Sequence, residues 1–141
     1  MFASTPIPAM DEGLVSALQA ADLPTEDIGD AGRHFFRVEN NGQLLGYGGF
    51  ELYGDEALLR SIVVPAAIRG QGNGRFVAEA MLREIDSAGG RRVYLLTTTA
   101  AAFFEHLGFR RIGREAAPPA ILATQQASTI CTSADLLTKA I

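Results

Sequence analysis

Cysteine is nearly absent: Cys131 is the only one in the chain, so no internal disulfide can form. A reducing, cytoplasmic setting is the expectation. The chain has two histidines and no Cys/His cluster, so no metal is expected. No apolar run reaches transmembrane length, and a membrane is not an expected partner. The stretch Met1-Phe-Ala-Ser-Thr-Pro6 lacks a basic leader and a continuous apolar core, so it does not read as a signal peptide. Net positive charge is lacking too. The formal charge of −4 argues against general nucleic-acid binding. Internal repeats, low-complexity segments and linkers are not discernible.

What is present suits one domain spanning residues 1–141. Hydrophobic residues make up 48% of the chain and charged ones 20%, enough apolar material for a core and too little charge for disorder. The charge is unevenly placed. Residues 1–57 carry ten acids against Arg33 and Arg37, whereas residues 58–141 carry ten bases against six acids. Most of the later arginines read as solvated.

Hydrophobic periodicity predicts a first strand at Phe2 to Ile7. A helix follows at Asp11 to Ala21, with Leu14, Leu18 and Ala21 on one face. Thr25 to Gly29 reads as a short further helical turn. His34 to Glu39 reads as a strand. Asn40-Asn41-Gly42 is a hairpin turn, and Gln43 to Tyr53 is the returning strand. A second turn at Tyr53-Gly54-Asp55-Glu56 leads into Ala57 to Val64. Gly74 to Ala88 is helical, with Val77, Met81 and Ile85 on one stripe and Glu79 paired to Arg83. Gly89-Gly90 stops it. Arg92 to Thr97 is a buried strand. Ala100 to Leu107 forms a helix, Phe109 to Arg114 a strand, and Pro118-Pro119 leads into a short helix to Thr124. Ser128 to Leu136 is the expected last strand, with Cys131 a small buried residue in it. The result is an α/β (α+β) chain with an antiparallel meander and one parallel pair, Ala57–Val64 with Arg92–Thr97.

The chemistry concentrates at Arg69-Gly70-Gln71-Gly72-Asn73-Gly74, between the β-branched run Ser61-Ile-Val-Val64 and a helix. Glycines there admit positive φ and let an anion approach the backbone. The first N–H groups of the helix have no internal partner. The pattern lacks the Lys-Ser/Thr of a Walker loop and is no GxGxxG fingerprint. Strand, Arg-x-x-Gly-x-Gly and helix together resemble the acetyl-CoA pyrophosphate loop of the GNAT superfamily of N-acetyltransferases. A second patch agrees. Ala100, Phe103, Glu105, Leu107, Gly108 and Phe109 match the superfamily's A-x-x-Phe-Tyr-Glu-x-Leu-Gly-Phe run. Leu58-Leu-Arg-Ser61, Leu95-Leu-Thr-Thr-Thr-Ala100, Leu23-Pro24-Thr25-Glu26-Asp27 and Pro119-Ala-Ile-Leu-Ala-Thr124 resemble the small acetyltransferases of arsenic-resistance operons, the second ArsN type. The Leu-Thr-Thr run is also similar to the acetyl-transfer domain of N-acetylglutamate synthase.

This resemblance implies a GNAT fold with a splayed parallel pair and flanking helices. It implies acetyl-CoA as co-substrate, bound by Arg69 to Gly74 and by the backbone of Ile62, Val63 and Val64, with Phe104 beside the thiol. Splayed strands leave backbone groups that need partners, and pantetheine amides supply them. One N–H would polarise the thioester carbonyl. The acceptor is expected to be the primary amine of a small amino-acid-like molecule, with an arsenical or other toxic analogue within reach of the narrower resemblance. Acetylation needs a neutral amine, and Glu51 is the candidate base. Arg60 is the candidate for holding an acceptor carboxylate, with internal pairing to Glu51 or an open side of the sheet as the alternatives. Thr97 is a further acceptor-side candidate. Phe104 stands where the superfamily often has a tyrosine acid, so the group that protonates the leaving thiolate is left open, with Tyr47, Tyr53 and Thr97 as alternatives from elsewhere in the chain. Water suffices if the thiol keeps a pKa near 8.5. A peptide acceptor, a non-catalytic acetyl-CoA-binding module and a homodimer are further readings.

Overall fold

The computed structural model describes residues 2–21, 23, 25, 32–124, 127 and 134–141. Its elements are β1 (Phe2–Ile7), α1 (Glu12–Ala20), β2 (Arg33–Asn40), β3 (Gln43–Tyr53), β4 (Glu56–Val63), α2 (Asn73–Ser87), β5 (Arg92–Thr97), α3 (Ala101–His106), β6 (Arg110–Ile112), α4 (Pro119–Leu122) and β7 (Asp135–Ala140). Two single turns of 3-10 helix, Ala66–Ile68 and Arg114–Ala116, join them. The strands form a mixed sheet in the order β1-β2-β3-β4-β5-β7-β6. Among the described residues no helix is long and apolar enough to cross a membrane.

The chain divides into two compact units. One comprises Met1–Glu51 with Leu59–Glu84, the other Leu52–Leu58 with Ile85–Ile141. In the first unit β1 and β2 pair antiparallel, as do β2 and β3. The β2–β3 turn has Asn41 at φ 53° and Gly42 at φ 82°, the left-handed pair that a two-residue hairpin requires. Asp11 caps α1 by accepting from the Leu14 N–H at 3.1 Å. Leu14, Ala17 and Leu18 bury the helix's apolar face with Phe35, Tyr47 and Val63. Val77, Met81 and Ile85, the stripe read from the sequence, are fully buried. On the exposed side Glu79 pairs with Arg75 at 2.7 Å rather than with the expected Arg83. Both spacings are i,i+4, and periodicity does not choose between them.

In the second unit β4 and β5 pair in parallel through Glu56↔Arg92, Ala57↔Val93 and Leu58↔Tyr94. Beyond that short ladder β5 continues to Thr97 against β7, antiparallel. Leu58, Tyr94, Ala117, Ile121 and Leu136 form the core here. The last strand differs from expectation. Among the described residues it runs Asp135–Ala140, past the expected end at Leu136, and it lies between β5 and β6. Leu136, Leu137 and Thr138 are its buried segment. The expected start of this strand, residues 128–133, with Cys131 in it, lies outside the described residues, as does most of the helical turn expected at Thr25 to Gly29. Arg114 adds a tie in this unit. Its Nη1 donates to the Ala127 carbonyl at 2.8 Å and its Nη2 to the Ala134 carbonyl at 3.4 Å.

Candidate active site

A regular strand alternates faces, so Arg60 and Ile62 of β4 should share one. They do not. The Arg60 guanidinium lies over the Phe35 ring at 5.7 Å. Val63 packs in the same cluster as Phe35, with Leu14 and Leu18. Ile62 faces elsewhere: a methyl placed on Gly48 would meet Met81 at 2.6 Å and the Ile62 Cδ1 at 2.9 Å. One residue is therefore extra between Arg60 and Val63. Ser61 is that residue, with φ 58° in the left-handed region. The arrangement is a β-bulge, which re-aims backbone groups and stores strain in a non-glycine residue.

Charged side chains surround the bulge. Arg60 Nε donates to Ser61 Oγ at 3.2 Å, and Arg60 Nη1 donates to Glu51 Oε2 at 2.8 Å. The side chains of Arg60 and Glu51 are 0% and 1% exposed. Arg33, the cross-strand neighbour of Glu51, approaches the same oxygen at 3.5 Å. For Arg60 the internal pair, one of the three roles open in the sequence, is thus the one present. Glu51 is not the accessible strand residue that a direct base would be. Its carboxylate is buried and engaged by guanidinium groups.

β4 ends in the glycine-rich loop. Arg69 Nε donates to the Val64 carbonyl at 2.8 Å, tying the loop to the strand end. Asn73 Nδ2 donates to the Ile68 carbonyl at 3.2 Å, bracing the start of α2. Gly70 and Gly72 have φ 82° and 78°, and a Cβ on either would meet no protein atom within 4 Å. The backbone therefore presents bare, left-handed corners to open space at the N-terminus of a 15-residue helix. Backbone concavities of that kind bind phosphate.

The sequence profile of the acetyltransferase (GNAT) family matches residues 7–109. The chain belongs to that family. No curated protein matches it. Solved structures do. N-acetylglutamate synthase from Neisseria gonorrhoeae, complexed with coenzyme A and N-acetyl-glutamate, superposes with a TM-score of 0.77 at 12% identity over 99% of this chain. This chain spans only 35% of that synthase. An acetyltransferase of the GNAT family from Staphylococcus aureus Mu50 has a TM-score of 0.72 at 15% identity, covering 99% of both chains. An aminoglycoside 6'-N-acetyltransferase complexed with coenzyme A has a TM-score of 0.68 at 15% identity, covering 98% of this chain and 96% of that one. At such identities these likenesses establish the fold.

Coenzyme A is bound in two of these structures, the synthase and the aminoglycoside acetyltransferase. The Arg69–Gly74 loop fits its pyrophosphate, because the space above Gly70 and Gly72 is what a bound anion requires. The remaining expected residues belong to the second unit. Thr97 Oγ1 accepts from the N–H groups of Ala100 at 3.0 Å and Thr99 at 3.4 Å, so its oxygen organises the entry to α3. Phe104 is buried and packs edge-on to Phe103 at 5.0 Å and to Phe109 at 5.7 Å. No phenol stands in its place. Tyr94 has its phenol raised above the ordinary value, first by burial and then by the Glu56 carboxylate.

Two members of the site were not singled out from the sequence. Ser61 gave no signal, since a left-handed serine inside a β-branched run leaves no compositional trace. Arg33 was discoverable in principle, by counting back from the Asn41-Gly42 turn. That count fails by one because the register shifts between Val38 and Glu39.

Proposed function

We propose that the protein transfers acetyl from acetyl-CoA to the primary amine of a small, amino-acid-like acceptor. The observation that carries this reading is the Arg69–Gly74 loop. It follows β4 directly, opens α2, and leaves the positive-φ corners at Gly70 and Gly72 open to an anion. The loop binds the pyrophosphate, with Gln71 and Gly74 contributing backbone. The backbone of Ile62, Val63 and Val64 takes the pantetheine, and a donor at the bulge polarises the thioester carbonyl. Acetyl-CoA supplies the acetyl group in thioester form. The neutral amine attacks the carbonyl carbon, the C–N bond forms, the C–S bond breaks, and water takes the amine proton.

An amino-acid-like acceptor is supported by the Leu95-Leu-Thr-Thr-Thr run, similar to the acetyl-transfer domain of N-acetylglutamate synthase, and by the likeness to that synthase's fold. Thr97 retains a hydroxyl proton to offer the acceptor. Phe104 lines the thiol region without donating a proton, which also keeps a non-catalytic acetyl-CoA-binding module in view. A thiol-release assay separates the two. Purified protein with acetyl-CoA is screened against amino acids, arsenical and phosphinic analogues, polyamines and peptides. Acceptor-dependent thiol release with an amino acid or analogue supports the proposal. Release with peptides alone moves the acceptor class. Calorimetric acetyl-CoA binding with no release from any acceptor would favour the binding module.

A further inference from the structure

The proposed reaction relies on backbone groups of β4, and β4 is strained where they lie. Ser61 has φ 58°, a conformation that is unfavourable for an L-residue with a Cβ. Such strain persists only where surrounding contacts over-determine it. Three contacts among the described residues do so. The Arg60 Nε–Ser61 Oγ bond is 3.2 Å, the Arg60 Nη1–Glu51 Oε2 pair is 2.8 Å, and the guanidinium carbon lies over the Phe35 ring at 5.7 Å from its centre. The guanidinium is thus held by an aromatic ring and a carboxylate. Its Nε–H grips the hydroxyl of the strained residue. Arg is suited to this because its donors lie in one rigid plane.

Arg60 and Glu51 are fully buried, and burying charge is unfavourable unless it secures something. Apolar residues on this face would pack with Phe35 and Val63 at less desolvation cost. They would not hold Ser61 in the left-handed region. We infer that the Glu51–Arg60 pair holds the Ser61 bulge, and so aims the β4 backbone donor that polarises the acetyl thioester. Both are positioning residues for acetyl transfer. They touch neither substrate, and they act through the Ser61 hydroxyl. This inference rests on the proposed acetyl-transfer reading and adds to it the device that sets the geometry.

The test reads carbonyl polarisation without an acceptor. Acetyl-CoA labelled with 13C at the acetyl carbonyl is bound to wild type, Arg60→Met and Ser61→Ala, and the carbonyl stretch is recorded by difference infrared spectroscopy. Ser61→Ala keeps the ion pair and removes only the hydroxyl, so it decides the matter if Arg60→Met fails to fold. In wild type the bound band lies below the free band. In both variants it returns toward the free position, while calorimetry gives an almost unchanged acetyl-CoA Kd. With an active acceptor, kcat falls about tenfold in each. The double variant falls no further, because the two changes remove one interaction.

Adding Ser61→Gly to Arg60→Met restores part of kcat, since glycine adopts φ 58° without being held. Variants with the wild-type band and kcat, whatever their stability, would show that the pair stabilises the fold alone. A wild-type band at the free position would count against the acetyl-CoA reading itself and remove the inference with it. A shifted wild-type band with equally shifted variants removes only the inference.

Discussion

Gly72→Asp tests the phosphate loop with little structural interference. A Cβ at this position meets no protein atom within 4 Å, so the new side chain causes no repacking. The backbone is left-handed, φ 78°, and aspartate is among the residues that tolerate that region. The left-handed backbone still strains any side chain by about 1–2 kcal/mol, so a melting curve has to show the loop folded before a change in affinity is assigned to the ligand side. Two changes of the same sign are introduced there at once: a side chain in the space the anion would fill, and a negative charge facing a negative group. Like charges about 4 Å apart in water repel by about 1 kcal/mol. A pyrophosphate presents about two of them, giving about 2 kcal/mol, or about a 30-fold weaker Kd. Incomplete hydration in the loop raises that figure. Gly72→Ala supplies the control, with the same Cβ and no charge, and should weaken binding less. Calorimetric titration of acetyl-CoA into both variants, with melting curves to confirm folding, is the assay. A folded Gly72→Asp protein with the wild-type Kd would show that no phosphate lies over Gly72.

Gly46→Ala should destabilise the protein by about 1–3 kcal/mol in urea unfolding, because its methyl would lie 2.6 Å from the Val63 carbonyl oxygen and 2.8 Å from Val77 Cγ2. Phe104→Leu should lose about 1–2 kcal/mol with its edge-on contacts to Phe103 and Phe109, yet leave the shape of the pH–rate profile unchanged; loss of the alkaline limb would mean that this region controls a proton. For Tyr94 the folded state favours the neutral phenol, so above the ordinary value of 10.0 the unfolded chain ionises first and binds fewer protons. The stability held below that pH is therefore lost as pH rises through it toward the raised folded value. Tyr94→Phe should flatten this alkaline decline in urea midpoints, and an unchanged slope would assign the decline to other groups.

The part of the site that was legible in the sequence is the part written in backbone requirements. Gly70 and Gly72 are glycines because φ is positive there, and they open a helix whose buried stripe, Val77, Met81 and Ile85, follows the 3.6-residue period. The Asn41-Gly42 turn announced itself for the same reason. Side-chain partnerships were less legible. The Glu79 partner was expected one turn ahead, at Arg83, and lies one turn behind, at Arg75, and the Arg33–Glu51 approach was hidden by a one-residue shift in the β2–β3 register. The Ser61 bulge was invisible, because the residue that pays for a left-handed corner with hydrogen bonds looks like any other serine. The last strand was ended too early, at Leu136, because the burial of Leu137 and Thr138 and its run to Ala140 depend on neighbours far along the chain.

Arg114 works as a bracket. One guanidinium donates to the carbonyls of Ala127 and Ala134, so two points seven residues apart in sequence are fastened to one side chain. Arg114 itself follows β6, so the start of β7 takes its place from this side chain as well as from its ladder with β6. Removing the guanidinium should therefore fray β7 from its Ala134 end while the pairing nearer Thr138 holds. Amide exchange in Arg114→Met would then speed up at Asp135 and Leu136 before it does at Thr138.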